Sequence, residues 1–510
     1  MATSSVSPSR CSALELEHAG RSGALISHPL TWLLVWAAAQ VLSRAWNTPA
    51  LELDEAQQMI WSQQLALGYG PQPPLYTWLQ WGVNAVLGPT VWALSVLKVS
   101  LLALTYAFMW AAARESGLRA QTAWWVAASL MWLPLMGWES LRDLTHTVLL
   151  NCLVAATWWA LARQIQRPRP VGFVWLGLAL GLGVLSKYSF VLFAGALAAS
   201  ALSLPTVRAA LLTRGWWLLP LVAGLVVLPH GLWVLEHWSL ASQATAGKLR
   251  MEAHISHWVG LSSLLQGVVG NLLLWAIAVA LVFGRAWWSP PMPAHRAVAE
   301  WLRPLIARYL LVVLACLLLM VFAGQASHFK GRWLHPLVCV VPWLAFACRP
   351  GLQEHPRGRW FTWGTVALAV ALWAAVTARP WLAGRAGRPN EVNEPVVALA
   401  DALRQAGYDG RAAIIADNAA LAGMLRTRFA RATVVACPSE AVDLAAGGEC
   451  VRQAADVSGS GWLQISRGKL AAPAWWLPGD TPRMLDLPYL HVHGQGPRVR
   501  YYFVWQPPRS

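Results

Sequence analysis

The sequence predicts an α-helical polytopic membrane protein with about eleven transmembrane helices, followed by a small C-terminal α/β domain. Three observations predict it. Hydrophobic residues make up 57% of the 510-residue chain and charged residues only 12%, about half the charged share of a soluble protein. Apolar runs near the length needed to cross a hydrocarbon core of about 30 Å recur along the chain. Tryptophan occurs 34 times, and this residue concentrates at membrane–water interfaces. A small soluble enzyme, a disordered chain and a disulfide-dense secreted module are excluded.

The candidate spans lie near 29–46, 91–113, 120–138, 146–162, 171–186, 188–204, 215–235, 259–284, 307–324, 333–348 and 361–379. A polar stretch precedes the first, and no small-residue cleavage site follows it, so it reads as an anchor rather than a cleavable signal. Lysine and arginine orient the array. With the N-terminus in the cytoplasm, the inside connections carry sixteen of them. The outside connections carry six: Arg142, Lys187, Lys248, Arg250, Lys330 and Arg332. Residues beyond about 380 then lie outside as well. The net charge of +16 is therefore membrane anchoring plus an external domain, and no nucleic-acid partner is expected. The expected division is a cytoplasmic tail (1–28), a transmembrane domain (29–380) with an external first loop (47–90), and an external α/β domain (381–510).

From Arg385 onward charge, glycine and proline return. Pro395–Ala406 and Ala419–Phe429 read as helices, and Ala412–Ala416, Ala432–Ala436 and Arg498–Trp505 as strands, a βαβ rhythm. Asp417-Asn418 follows the first strand where a phosphate loop would need glycines, so no nucleotide site is expected. Cys437 and Cys450 share this domain, and its compartment allows a disulfide between them without requiring one. No metal-type cysteine spacing occurs, and His254 and His257 in an external loop read as solvated. No cofactor is expected, and no motif supports a divalent cation.

The candidate chemistry starts in the first loop, Leu51 to Leu75. Glu52, Asp54 and Glu55 stand just beyond the first span, with no basic residue between Trp46 and Leu97. Unpaired carboxylates near a bilayer acquire raised pKa values, which suits a general base. Adjacent helical residues point about 100° apart. One of Asp54 and Glu55 would therefore act on a reacting hydroxyl while the other orients a ligand. Read alone, Asp54 is more simply a helix cap. Residues 55–67 and 76–88 read as interfacial amphipathic helices, joined through Tyr69 and a rigid turn at Gln72-Pro73-Pro74. They make a floor for a substrate that is part lipid. External cations form a second group: Lys187, Lys330 and Arg332, with Arg142 beside Asp143, and Lys98 buried in its span. Singly each reads as a headgroup anchor; together they suit a lipid phosphate. Gly177 and Gly181 read as helix packing.

In order and on one side, Asp54-Glu55, Tyr69 through Pro73-Pro74-Leu75, Leu141–Thr147 with Asp143, Gly181 through Lys187, and Arg332 with Pro336 carry a resemblance. The chain resembles the bacterial PMT-type branch (glycosyltransferase family 39) of the GT-C membrane glycosyltransferases. It is similar to dolichyl-phosphate-mannose protein mannosyltransferases and lipid A aminoarabinose transferases over residues 30–350. The resemblance implies a polyprenyl-phosphate-linked sugar donor. It also implies inverting transfer to a lipid or glycan acceptor such as lipopolysaccharide, or to protein, at the periplasmic face of the bacterial inner membrane. Asp54 matches the catalytic aspartate, with Glu55 its partner and Asp143 the second acidic position. Lys187 and Arg332 match cations around the donor phosphate. The family often has Lys or His directly before Pro-Pro, where this chain has Gln72; Lys98 or Lys330 would then substitute.

The chemistry is consistent with that implication. A phosphate leaving an anomeric carbon needs no strong general acid, only a base, cations for the departing charge and proximity. A transporter would bury charge at mid-membrane and show repeated halves; no repeat is found. A noncatalytic binder of lipid-linked sugars shares every feature except the need for Asp54.

Overall fold

Helices form where the apolar runs lie, and proline decides where they break. The computed structural model describes residues 29–239, 256–288, 298–324, 326–349, 351–352, 355–438, 444–457, 461–468, 470–471, 475–477 and 479–507. Its first elements are α1 (Pro29–Asn47), α2 (Leu53–Trp61), α3 (Leu75–Leu87), α4 (Val91–Glu115), α5 (Ala120–Ser129), α6 (His146–Gln166), α7 (Pro170–Ser186), α8 (Phe190–Ser203) and α9 (Pro205–Leu211). Next come α10 (Leu218–Glu236), α11 (His257–Phe283), α12 (Leu302–Phe322), α13 (Gly331–Val338), α14 (Val341–Ala347) and α15 (Gly358–Arg385).

Among the described residues, α4, α6, α10, α11, α12 and α15 are long and apolar enough to cross a membrane. A seventh is added if α8 and α9, bent by 108°, form one span. The remaining expected spans fall on shorter, more polar or broken helices. α5 gives way to a tight turn at Leu130–Trp132 and then Pro134, and α13 and α14 are separated at Cys339–Val340 with Pro336 and Pro342 nearby. Proline removes a donor and clashes with the preceding turn, so it breaks a continuous span. α4, α6, α7 and α10 pack in succession. Close approach of α7 to α10 requires glycine: a Cβ at Gly177 would lie 2.7 Å from the Leu219 carbonyl, and one at Gly181 2.9 Å from Val226. That pair serves helix packing, as its spacing indicates.

The C-terminal α/β domain contains α16 (Val396–Gln405), β1 (Ala413–Ala416), α17 (Ala419–Arg426), β2 (Val434–Ala436), α18 (Leu444–Val457), β3 (Trp462–Arg467), β4 (Arg483–Pro488) and β5 (Arg498–Gln506). Its sheet has the order β2-β1-β3-β5-β4, parallel from β2 to β3 and antiparallel beyond. β3 and β4 were not expected from the sequence. β3, longer than β1 or β2, is bounded by Gly461 and Gly468, both at positive φ, a turn signal on either side. β4 is an exposed edge strand ending in Pro488, and so lacks a strong apolar pattern. Cys437 and Cys450 are bonded to each other. Asn393 ties the domain down, donating to the carbonyls of Pro380 (2.7 Å) and Leu490 (2.9 Å). His254 and the cations Lys248 and Arg250 lie outside the described residues.

Candidate active site

The first loop doubles back on itself at a two-residue turn. Gly70 has φ +59 and precedes Pro71. Tyr69 N–H donates to the Gln72 carbonyl at 3.2 Å, and Gln72 N–H returns to Tyr69 at 3.3 Å. Glycine supplies the positive φ that such a tight hairpin turn needs. Pro73 and Pro74 lead directly into α3. The first expected helix stops early, at Trp61, where the Ser62 hydroxyl bonds back to the Gln58 carbonyl at 2.5 Å. α2 and α3 then lie together, with Thr77 donating to Gln58 Oε1 at 2.9 Å and Asn84 to Ser62 at 2.9 Å.

The three carboxylates of this loop have three different environments. Glu55 is buried between Arg44 Nη2 and Lys98 Nζ, each at 2.6 Å. Burial pushes its pKa up, but Arg44 and then Lys98 overcome that and hold it at about 2. Glu52 is paired with Arg379 and lies 4.0 Å from Arg142 Nε. Burial, aided by Glu391, pushes Glu52 up to about 7 against the pull of Arg379. Asp54 is half-buried and has neither a hydrogen bond nor an ion pair among the described residues. The expectation of three unpaired acids is therefore corrected to one. Their bases come from α1, α4 and α15, outside the loop and 11 to 327 positions away, which is why the loop's own sequence looks purely acidic.

Facing Asp54 is the segment 134–147. It leaves α5 through a π-helical turn (Leu135–Glu139), passes Ser140–Arg142, and enters α6 only after Leu144 adopts φ +62. That left-handed backbone is costly for leucine, and irregular helical turns of this kind concentrate at functional sites. Asp143 is pushed up to about 6 by burial and then by the charge of Asp54, against Lys98. Lys98 Nζ also lies 3.5 Å from the Asp143 carbonyl. His146 is enclosed by Gln58 (3.0 Å), Tyr76 and Trp61 (ring centroids 5.5 and 6.2 Å), which docks α2 and α3 onto the segment. Among the described residues, Asp143 Oδ1, Arg142 Nε and the hydroxyls of Tyr76 and Tyr188 are buried without hydrogen-bond partners. Buried polar groups are rarely left so, and two of them, on Asp143 and Tyr76, feel the charge of Asp54, which suits a polar ligand.

The cations divide. Lys187 donates to Thr147 Oγ1 at 2.8 Å, just past Asp143 and His146. Lys330 and Arg332 line an open cleft of about 580 Å³ with Glu139, His328 and Asn271, and Lys330 lies 5.9 Å over the Trp333 ring. The same segment, 139–147, thus borders the acids, the lysine and the cleft. Lys98 does not line that cleft. It borders a small cavity of about 40 Å³ with Glu52, Arg142 and Arg379, and its ammonium is turned into Glu55. Gln72 is held in the hairpin. Arg44, Arg379, His146, Tyr76 and Gln58 were missed as site residues. Gln58 and Trp61 were legible, since positions i+4 and i+7 from Asp54 share its helix face.

Residues 71–233 match the family described as dolichyl-phosphate-mannose-protein mannosyltransferase. The lipopolysaccharide core galacturonosyltransferase RgtB of Rhizobium johnstonii is 30% identical over 499 residues, covering 93% of this chain and 97% of that protein. The lipopolysaccharide core galacturonosyltransferase RgtA of the same organism is 30% identical over 391 residues, covering 76% and 77%. In fold, the chain is similar to the crystal structure of ArnT from Cupriavidus metallidurans bound to undecaprenyl phosphate. That likeness has a TM-score of 0.57 at 14% identity and covers 93% of this chain and 98% of that one.

Proposed function

The chain belongs to the PMT-type family of GT-C membrane glycosyltransferases, and from that premise we propose a donor, an acceptor and a catalytic base for this enzyme. The donor is a uronic acid on a polyprenyl phosphate, and the acceptor is a sugar hydroxyl of lipopolysaccharide core or lipid A. The Rhizobium relatives support the sugar and the acceptor, and the lipid phosphate on ArnT supports the carrier. Residues 1–28 are read as a cytoplasmic tail, 29–380 as the transmembrane domain of an inner-membrane protein, and 381–510 as its periplasmic domain.

One observation carries the assignment of the base: among the described residues, only Asp54 of the three loop acids is unpaired, and it faces Asp143, whose Oδ1 also lacks a partner there. Glu55 is committed to two cations, so its role is to hold Arg44 and Lys98 rather than to accept a proton. In the reaction the acceptor oxygen attacks the anomeric carbon as its proton passes to Asp54. The bond from that carbon to the phosphate oxygen breaks, and the lipid phosphate departs with inversion. Lys187, Lys330 and Arg332 receive the phosphate charge where it grows, the contribution that preorganised cations make best. Asp143 as a carboxylate accepts a hydroxyl of sugar or acceptor. Tyr69 and Gln72-Pro73-Pro74 shape the substrate loop, and Lys98 positions Glu55 instead of touching phosphate.

The test uses membranes carrying Asp54→Asn, supplied with polyprenyl-phosphate galacturonic acid and lipopolysaccharide acceptor. Transfer should fall about 10²–10⁴-fold, the usual weight of a general base, with unchanged insertion and yield. Full activity would sink the assignment. Wild-type preference for a neutral hexosyl donor would sink the choice of sugar alone.

A further inference from the structure

α2 has nine residues, too few to be stable as an isolated helix, so its position is set by what grips it. Its two faces are gripped by different parts of the molecule. Asp54, Gln58 and Trp61 follow i, i+4, i+7 spacing and face the segment 139–147. Ala56 and Ile60, four apart, lie on the other side, since residues two apart are about 200° apart around a helix, and Gln63 follows in the turn just past the helix end. That second face is covered by the C-terminal domain.

Two contacts fix it there. Gly423 on α17 lies so close that a Cβ would stand 2.3 Å from the Ala56 carbonyl oxygen and 2.5 Å from the Ala56 Cα. These are backbone atoms, which cannot swing aside. Gln63 makes both hydrogen bonds of a neighbouring strand: Nε2 donates to the Val434 carbonyl and Oε1 accepts the Val434 N–H, each at 2.8 Å. Val434 begins β2, the edge strand of the sheet, whose free backbone groups would otherwise be open. Ala56 and Met59 meet Val396 and Met424 in a shared apolar cluster, and Ile60 packs on the domain core.

We propose that the C-terminal domain sets the reach of the catalytic helix, with Gly423 and Gln63 as positioning residues for Asp54. The helix is a short rigid spacer between sheet and active site, so any displacement at its domain face moves Asp54 by a similar amount. A misplacement of about 1 Å can cost on the order of 10²-fold in rate. A Cβ at position 423 demands roughly that shift to restore van der Waals contact. The assignment to Asp54 rests on reading that residue as the base.

The experiment compares full-length wild type, Gly423→Ala, Gly423→Val and Gln63→Ala with polyprenyl-phosphate galacturonic acid and lipopolysaccharide acceptor. Turnover is normalised to folded protein, judged by melting temperature and the Cys437–Cys450 bond. Gly423→Val should lower kcat 10–100-fold, Gly423→Ala less, and Gln63→Ala about 3–10-fold, with the donor KM within about twofold in each. A purely structural role would lower the melting temperature and leave kcat per folded molecule unchanged. Wild-type kcat in Gln63→Ala or in any folded Gly423 variant, or a loss carried by KM, overturns the proposal. If the Gly423 variants do not fold, Gln63→Ala decides alone. An active Asp54→Asn enzyme counts against the base and leaves these kcat comparisons readable.

Discussion

Asp143 beside the first loop and Asp417 in the C-terminal domain are both carboxyls pushed up to about 6, and burial is the leading cause in each. Their surroundings differ. Asp417 has a donor on each oxygen, Asn418 at 2.6 Å and the Arg467 N–H at 2.9 Å. Nearby, buried Glu394 is held by Arg467 at 2.7 and 3.0 Å and by the Tyr501 hydroxyl at 2.5 Å. Among the described residues, Asp143 leaves Oδ1 without a donor, opposite an unpaired Asp54. A perturbed pKa therefore marks both a framework and a site. Satisfaction of the polar atoms distinguishes these two: the closed network serves the fold, and the open one fits the site proposed above.

The comparison can be broken at the open end first. Asp143→Asn should lower transfer about 10²-fold. In the wild type, activity should fall as pH drops through about 6, because Asp143 then becomes protonated and loses an acceptor; this limb should be missing from the residual activity of Asp143→Asn. An unchanged limb in the variant would assign it elsewhere. Lys187→Ala and Arg332→Ala should each reduce the rate at limiting donor about tenfold, as expected for a charge-assisted contact worth about 1.5 kcal/mol. Equal donor dependence in both variants and the wild type would remove the phosphate assignment.

At the closed end, Arg467→Met strands Glu394. It should destabilise the protein by about 2–3 kcal/mol, below the 3–5 of a fully buried pair, because Arg467 is 39% exposed. Turnover per folded molecule should stay within about twofold. A large loss of turnover at unchanged melting temperature would make this network part of the site after all.

The dominance of long apolar helices was legible because apolar length is a property of contiguous residues, whereas the breaks that leave six or seven such helices among the described residues in place of eleven depend on single prolines and turns. Asp54, Asp143 and the cations 187 and 332 were legible as candidates, a set of charges with no other reason to be where they are. Pairing was not. Glu55 looked like half of a catalytic pair until Arg44 and Lys98, 11 and 43 positions away, were seen to neutralise it. Lys98 looked like a phosphate ligand for the same reason. The grip of Gly423 on α2 joins residues more than 360 positions apart and leaves no local trace, since glycine in a helix usually reads as a weak point.

Leu144 fixes one further property of the enzyme. Its backbone lies in a region leucine avoids, at a cost on the order of 1–3 kcal/mol, while its side chain is sunk among the core of the helical bundle, 3% exposed. The apolar anchor and the bend thus coincide beside Asp143, the acid proposed to accept a substrate hydroxyl. If Asp143 acts as proposed, its orientation is settled when the bundle folds rather than when substrate arrives, and the dipoles of the site then need little rearrangement during transfer.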